Sequence, residues 1–185
     1  MPWIKVIEEA EADATLRAAY AQVKGARGKV ANILAVHSLN PQALADHMAL
    51  YTHLMFGHNG LTRAEREMLA VTVSATNRCA YCIEHHAEAL LHYWKDRERI
   101  ACFVEDFRTA ALSPRELAML EYAQQLTREP AAITAAAVEQ LRAQGFTDEE
   151  ILNINLIVSY FNFVNRIALG LGVEFSADEV SGYKY

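Results

Sequence analysis

Cysteine, proline, glycine and clustered positive charge are all scarce in this 185-residue chain, and each scarcity removes a class of protein. Three cysteines cannot staple a disulfide framework, and four prolines with eight glycines are too few for a loop-rich or fibrous chain. Lys and Arg number 17 against 23 Asp and Glu, a net charge of −6, and no run of basic residues stands out. A nucleic acid or an anionic membrane is therefore not an expected partner. The opening MPWIKVIEEAEAD lacks the basic segment and apolar run of a secretory signal, so a cytoplasmic protein is expected. Neither G-x-G-x-x-G nor G-x-x-x-x-G-K-[ST] occurs, and no organic cofactor is expected. No convincing strand pattern appears. The most apolar segment, Ile151 to Val173, is long enough to cross a bilayer, but it carries Asn153, Asn155, Asn162, Asn165 and Arg166, which lipid penalises. It reads as a buried core or interface helix.

What is present is helix. Hydrophobic residues make up 52% of the chain, ample for one core, and they recur at three- and four-residue spacing in an Ala/Leu/Glu/Arg background. Thr62-Arg-Ala-Glu65, Ser113-Pro-Arg-Glu116 and Thr147-Asp-Glu-Glu150 each pair a capping hydroxyl with a carboxylate three positions on. Gly25, Gly28, Gly57, Gly60, Pro130 and Gly145 mark stops. Helices are expected near 8–23, 41–56, 62–76, 79–94, 97–109, 114–128, 134–144 and 148–170, in one all-α domain whose motif-bearing core runs from about 41 to 172. The tail, 174–185, is expected to fray or to dock on a neighbouring subunit, and the apolar surplus to form a homo-oligomer. LTRAEREML at Leu61–Leu69 and LSPRELAML at Leu112–Leu120 suggest a duplicated helical unit, with Glu67 standing where the second copy has Ala118. Two capping boxes before apolar helices would produce the same likeness by convergence.

The chemistry concentrates in NRCAYCIEHHAEAL, Asn77 to Leu90. A helix turns about 100° per residue, so Cys82 and His86 fall roughly 60° and 20° around the axis from Cys79, all on one face. His85 lies at its edge. With Asn77 as cap, both cysteines would occupy a helix first turn, where unpaired N–H groups favour a thiolate, and Cys82 should titrate below an ordinary thiol. Glu67 precedes Cys79 by twelve residues on the preceding helix; spacing alone puts it at a solvent edge beside Arg63 or Arg66. Cys79, Cys82 and His86 could give zinc three ligands with water as a fourth, but no second pair closes the site, so no metal is expected. A thioredoxin-like reading needs a preceding strand. Two buried structural cysteines remain an alternative to the favoured redox-active dithiol. Cys102 reads as a small buried hydrophobe, and Tyr51, His53, Phe56, His58 and Phe161 as pocket walls.

The pattern E-x(11)-C-x-x-C-x-x-x-H, formed by Glu67, Cys79, Cys82 and His86 in an all-helical chain, resembles the AhpD-like alkylhydroperoxidases of the carboxymuconolactone decarboxylase superfamily, closest to their peroxidase-related branch. The resemblance implies an AhpD-like bundle, a trimer or hexamer, and a peroxidase acting on a small hydroperoxide. In it Cys82 attacks, Cys79 resolves, His86 relays protons with Glu67, and an external thiol or dithiol restores the pair. Tyr81 stands where well-known members carry a histidine, and a phenol is a poor proton acceptor near neutral pH. With His85 it is a secondary candidate. The decarboxylase activity does not rely on Cys-x-x-Cys and fits poorly. A thiol–disulfide oxidoreductase or redox sensor, and a catalytically weak binding protein on the same fold, are the alternatives.

Overall fold

The three capping boxes form as their spacing requires: the hydroxyls of Thr62, Ser113 and Thr147 accept from the amides of Glu65, Glu116 and Glu150, whose carboxylates bond back. They launch three of ten α-helices among residues 2–180, which this computed structural model describes; those residues contain no strand. In chain order the helices are α1 (Ala14–Arg27), α2 (Asn32–Ala35), α3 (Pro41–Phe56), α4 (Arg63–Thr76), α5 (Ala80–Trp94), α6 (Arg97–Glu105), α7 (Pro114–Arg128), α8 (Ala135–Ala143), α9 (Asp148–Gly170) and α10 (Ala177–Val180).

Helix α4 lies at the centre, packed by α5, α7 and α9, and every residue from Glu65 to Ser74 is buried. A segment carrying Glu65, Arg66 and Glu67 can sit there because each charge meets a partner. Arg66 donates to the carbonyls of Leu61 and Met55, which satisfies part of the exposed end of α3. Arg115 joins the capping carboxylates of Glu65 and Glu150, so α4, α7 and α9 share one ionic knot at their N-terminal ends.

The asparagines of α9 are structural. Asn155 donates to Tyr122, Asn162 to Thr127 and Asn165 to Ser74, so the long apolar helix is tied into the bundle by side-chain bonds. Among the described residues no helix is long and apolar enough to cross a membrane.

The expected map needs four corrections. The first long helix is Ala14–Arg27, because Asp13 caps it through the Leu16 amide and leaves residues 9–11 as a 3₁₀ turn. The 97–109 helix breaks at Asp106, whose side chain caps a separate 3₁₀ turn at Phe107–Thr109. Asn32–Ala35 and the 3₁₀ turn Val36–Leu39 were not anticipated; they are held by α3, α9 and the C-terminal segment rather than by propensity. The described part of the tail, 174–180, docks on its own chain through α10. Tyr183 and Tyr185 lie outside the described residues.

Candidate active site

A tight link joins α4 to α5. Asn77 ends α4, Arg78 adopts a left-handed backbone with φ of 56°, and the Cys79 amide donates to the Ser74 carbonyl at 2.9 Å. Asn77 thus caps the C-terminus of α4, not α5, and its side chain donates to Asn162 and Asn165 on α9. Cys79, in extended geometry, takes the N-cap position, so only Cys82 lies inside the first turn of α5. Both sulfurs are buried, Cys79 with no exposure and Cys82 with 2%. They touch at 2.8 Å.

Two sulfurs in contact share protons unequally. The Cys79 thiol is held below its ordinary range because the Cys82 thiol bonds to it; burial opposes this, and the Cys82 amide adds to the lowering. Cys82 is pushed up by that same bond, by burial and by the charge on Cys79, with the Asn165 side chain opposing. The expectation of a depressed Cys82 is therefore corrected. The helix N-terminus does favour an anion there, but a second sulfur in contact is a stronger influence and places the first negative charge on Cys79.

Glu67 is the clearest departure from its expected solvent-edge position. Its side chain is 1% exposed and bridges a guanidinium and an imidazole: Oε1 accepts from Arg63 Nη2 at 3.0 Å, and Oε2 accepts from His86 Nδ1 at 2.7 Å. With Nδ1 committed to the carboxylate, Nε2 is the atom of His86 able to exchange a proton. The ring packs edge-on against Phe161.

A narrow cavity of about 60 Å³ meets these groups. Cys82, His86, Glu67, Tyr81 and His85 line it, whereas Cys79 does not. Of the expected walls, Tyr51 and Phe161 line it; His53, Phe56 and His58 are exposed elsewhere, because α3 turns that end of its surface outward. His47 and Tyr160, which the sequence reading missed, also line it. Neither belongs to a motif, and the only available signal was a histidine and a tyrosine set into otherwise apolar helix faces. Cys102 is exposed on α6, contrary to expectation, because Ile100 and Phe103 are the residues that face the core.

Tyr81 and His85 stack at 4.2 Å and face the C-terminal segment. The Tyr81 hydroxyl donates to Glu179 Oε1 at 2.8 Å and accepts from the Ile33 amide. His85 offers Nδ1 to the Tyr81 carbonyl at 2.7 Å and Nε2 to Glu179 Oε2 at 2.6 Å. Burial raises the Glu179 carboxyl, but the bond and charge of His85, the Asn32 amide and Tyr81 outweigh it and hold its pKa near 2. Among the described residues no group of three or more His, Cys, Asp or Glu is arranged to hold a metal ion.

Residues 41–125 match the model of the carboxymuconolactone decarboxylase family. The whole fold is similar to the alkylhydroperoxidase AhpD core of an uncharacterized peroxidase-related protein from Ralstonia eutropha JMP134, at 30% identity and a TM-score of 0.87, covering 97% of this chain and 94% of that one. It is similar to a second uncharacterized peroxidase-related protein, from Silicibacter sp. TM1040, at 31% identity and a TM-score of 0.83, covering 97% and 91%. The debrominase Bmp8 shares the fold at 17% identity and a TM-score of 0.79, covering 96% and 97%.

Proposed function

Because the chain belongs to the carboxymuconolactone decarboxylase family, with AhpD-like peroxidase-related proteins among its relatives, we propose that it is a thiol-dependent peroxidase that reduces hydroperoxides through the Cys79/Cys82 pair. The observation that carries this reading is the meeting, at one small cavity, of a thiol in contact with a second thiol and a histidine braced by a buried carboxylate. A cavity of about 60 Å³ accepts hydrogen peroxide or the –OOH end of a larger peroxide. The near-complete burial of both sulfurs favours a small oxidant over exchange with protein thiols.

In the proposed cycle Cys82 attacks, since it faces the cavity and Cys79 does not. The pair loses one proton through Cys82 to His86 Nε2; that charge rests on Cys79 at equilibrium, and the remaining proton shifts across the sulfur contact to Cys79 as Cys82 attacks, leaving the thiolate on Cys82. The thiolate attacks the terminal peroxide oxygen: an S–O bond forms, the O–O bond breaks, and its electron pair leaves on RO⁻. His86 returns the proton to give ROH, and Glu67, paired with Arg63, stabilises the transient imidazolium. Cys79 then attacks the sulfenic acid on Cys82, forming the disulfide and releasing water. Two electrons and two protons from an external thiol or dithiol restore the pair. Tyr81 and His85 hold the C-terminal segment in this scheme and carry no proton to the substrate.

Mass spectrometry after one equivalent of hydrogen peroxide tests the assignment. Cys79→Ser should complete one turnover and trap sulfenic acid on Cys82, and Cys82→Ser should fail at the first. His86→Ala or Glu67→Gln should slow oxidation by about 10²–10⁴-fold without abolishing it. Sulfenic acid on Cys79 in the Cys82→Ser protein at full speed reverses the two roles; no oxidation at either cysteine removes the peroxidase reading.

A further inference from the structure

Two asparagines of α9 do more than tie that helix into the bundle: with Asn77 they form a ladder of side-chain amides that ends at the cysteine pair. Asn77 Nδ2 lies 3.0 Å from Asn162 Oδ1 and 3.0 Å from Asn165 Oδ1, and Asn165 Nδ2 lies 3.2 Å from the Ser74 hydroxyl. Asn165 and Ser74 have no exposure. An amide nitrogen carries two protons, and the second of Asn165 goes to the Cys82 side chain. Ser74 also anchors the link between α4 and α5, since its carbonyl accepts from the Cys79 amide.

Which end of each amide is oxygen follows from its neighbours. Arg166 only donates, and its Nη1 lies 2.9 Å from Asn162 Oδ1; the Val158 carbonyl only accepts, and it lies 3.0 Å from Asn162 Nδ2. Asn162 is thus held from both ends. It presents its oxygen to Asn77, which must answer with NH2 and spends one proton on each asparagine of α9. Asn165 in turn gives its oxygen to Asn77, which leaves its NH2 to Ser74 and the sulfur. Reversing the Asn165 amide would set two NH2 groups against each other at one end and a carbonyl oxygen against the sulfur at the other, a conflict that a fully buried residue cannot relieve with water.

The proposed cycle makes a demand that this amide meets. The negative charge of the pair rests on Cys79, and it must pass to Cys82 as the remaining proton crosses to Cys79. Cys79 then lends the new thiolate its S–H, and the first turn of α5 lends its positive end. We infer that Asn165 is the fixed N–H donor that stabilises the Cys82 thiolate at the moment of attack, with Asn77 and Asn162 acting through it as positioning residues that set which end of its amide faces the sulfur. A hydrogen bond to an anion is about twice as strong as one between neutral groups, so the N–H gains most when the charge arrives. The role in attack rests on the peroxidase reading; the donor contact itself does not.

Alkylation of Cys82 by iodoacetamide as a function of pH, read by mass spectrometry in the Cys79→Ser protein, tests the contact without peroxide. Besides Asn165, Cys82 shares the cavity with His85 and His86 of α5, Glu67 of α4, His47 of α3 and three tyrosines, and the variants retain all of these. Asn165→Leu should move the midpoint up by about one to two pH units, the worth of one hydrogen bond to a charged group. Asn77→Leu, which frees the Asn165 amide to turn, should move it the same way by less, and should add nothing once Asn165 is replaced. Ser74→Ala removes the other partner of the same NH2 and should leave the midpoint in place. With Asn165 intact, its side-chain amide resonances should titrate with the midpoint of alkylation, a readout that stands even if Asn165→Leu does not fold. With hydrogen peroxide at pH 7, Asn165→Leu should slow the first oxidation about three- to tenfold, since the thiolate becomes rarer but more nucleophilic. An unmoved midpoint in Asn165→Leu, an equal shift in Ser74→Ala, or amide resonances indifferent to the thiol overturns the inference. A moved midpoint in a protein whose cysteines never react with peroxide upholds the donor and removes the peroxidase reading alone.

Discussion

His47 shows how much one buried side chain can govern. It is neutral in the fold, with a pKa near 4, but takes a proton at about 6.5 once exposed. Acid therefore favours the unfolded chain: stability is whole above pH 6.5 and falls as the pH drops toward 4, by up to about 3 kcal/mol from this residue. Urea unfolding midpoints measured from pH 7.5 to 4.5 should decline, and His47→Gln should flatten that decline. At the same scale Glu67 repays attention to sequence context. Its lack of a counterpart at Ala118 and its place beside Arg63, one turn away on the same helix, were legible in the sequence; His86 closing on it from α5 was not. Periodicity places a carboxylate on a face; it does not say what stands opposite.

Among the elements, the N-terminal ends of α4, α7 and α9 meet at Arg115. Its guanidinium binds Glu65 and Glu150 and lies 3.7 Å over the Phe146 ring. The two carboxylates are mostly buried while Arg115 is about one-third exposed, so the pairs lie between a surface bridge and a buried one. Arg115→Met should cost about 1–2 kcal/mol in chemical denaturation without changing the thiol chemistry, since no group of the cavity touches it. Gly60, with φ of 78°, brings the chain close against Glu150 and helps set this junction. The capping boxes were legible because their partners lie three residues apart; Arg115 was not, because its partners lie 50 and 35 residues away.

For the whole molecule, the C-terminal segment acts as a strap over the cysteine helix. Glu179 joins Tyr81, His85 and the Asn32 amide, while Lys29 Nζ donates to the carbonyls of Asp178 and Glu179. Glu179→Leu should loosen it, speeding alkylation of Cys82 by a small reagent about tenfold and raising hydrogen exchange at the Ile33 amide, with global stability changed less. A homo-oligomer, proposed here as a trimer or hexamer, would cover the stripe of Leu152, Leu156 and Phe163 exposed along one face of α9. Sedimentation at micromolar concentration should find an assembly that Leu156→Glu weakens, and a clean wild-type monomer would remove the proposal.

The sequence by itself determined the helical class, the three boxed helix starts, and the one-turn relation of Cys82 and His86 on a single helix, since each depends on residues within a turn or two. Tertiary structure alone decided the rest. It put Cys79 at the cap, because Arg78 turns left-handed and α9 supplies the partners of Asn77, and it lowered that thiol through contact with Cys82. It turned Cys102 outward, buried Glu67, set Glu179 onto Tyr81, and joined His47 to Tyr160 across 113 positions. Such contacts are set by which helix packs against which. That depends on the sum of many apolar surfaces and leaves no local mark in the residues that benefit from it.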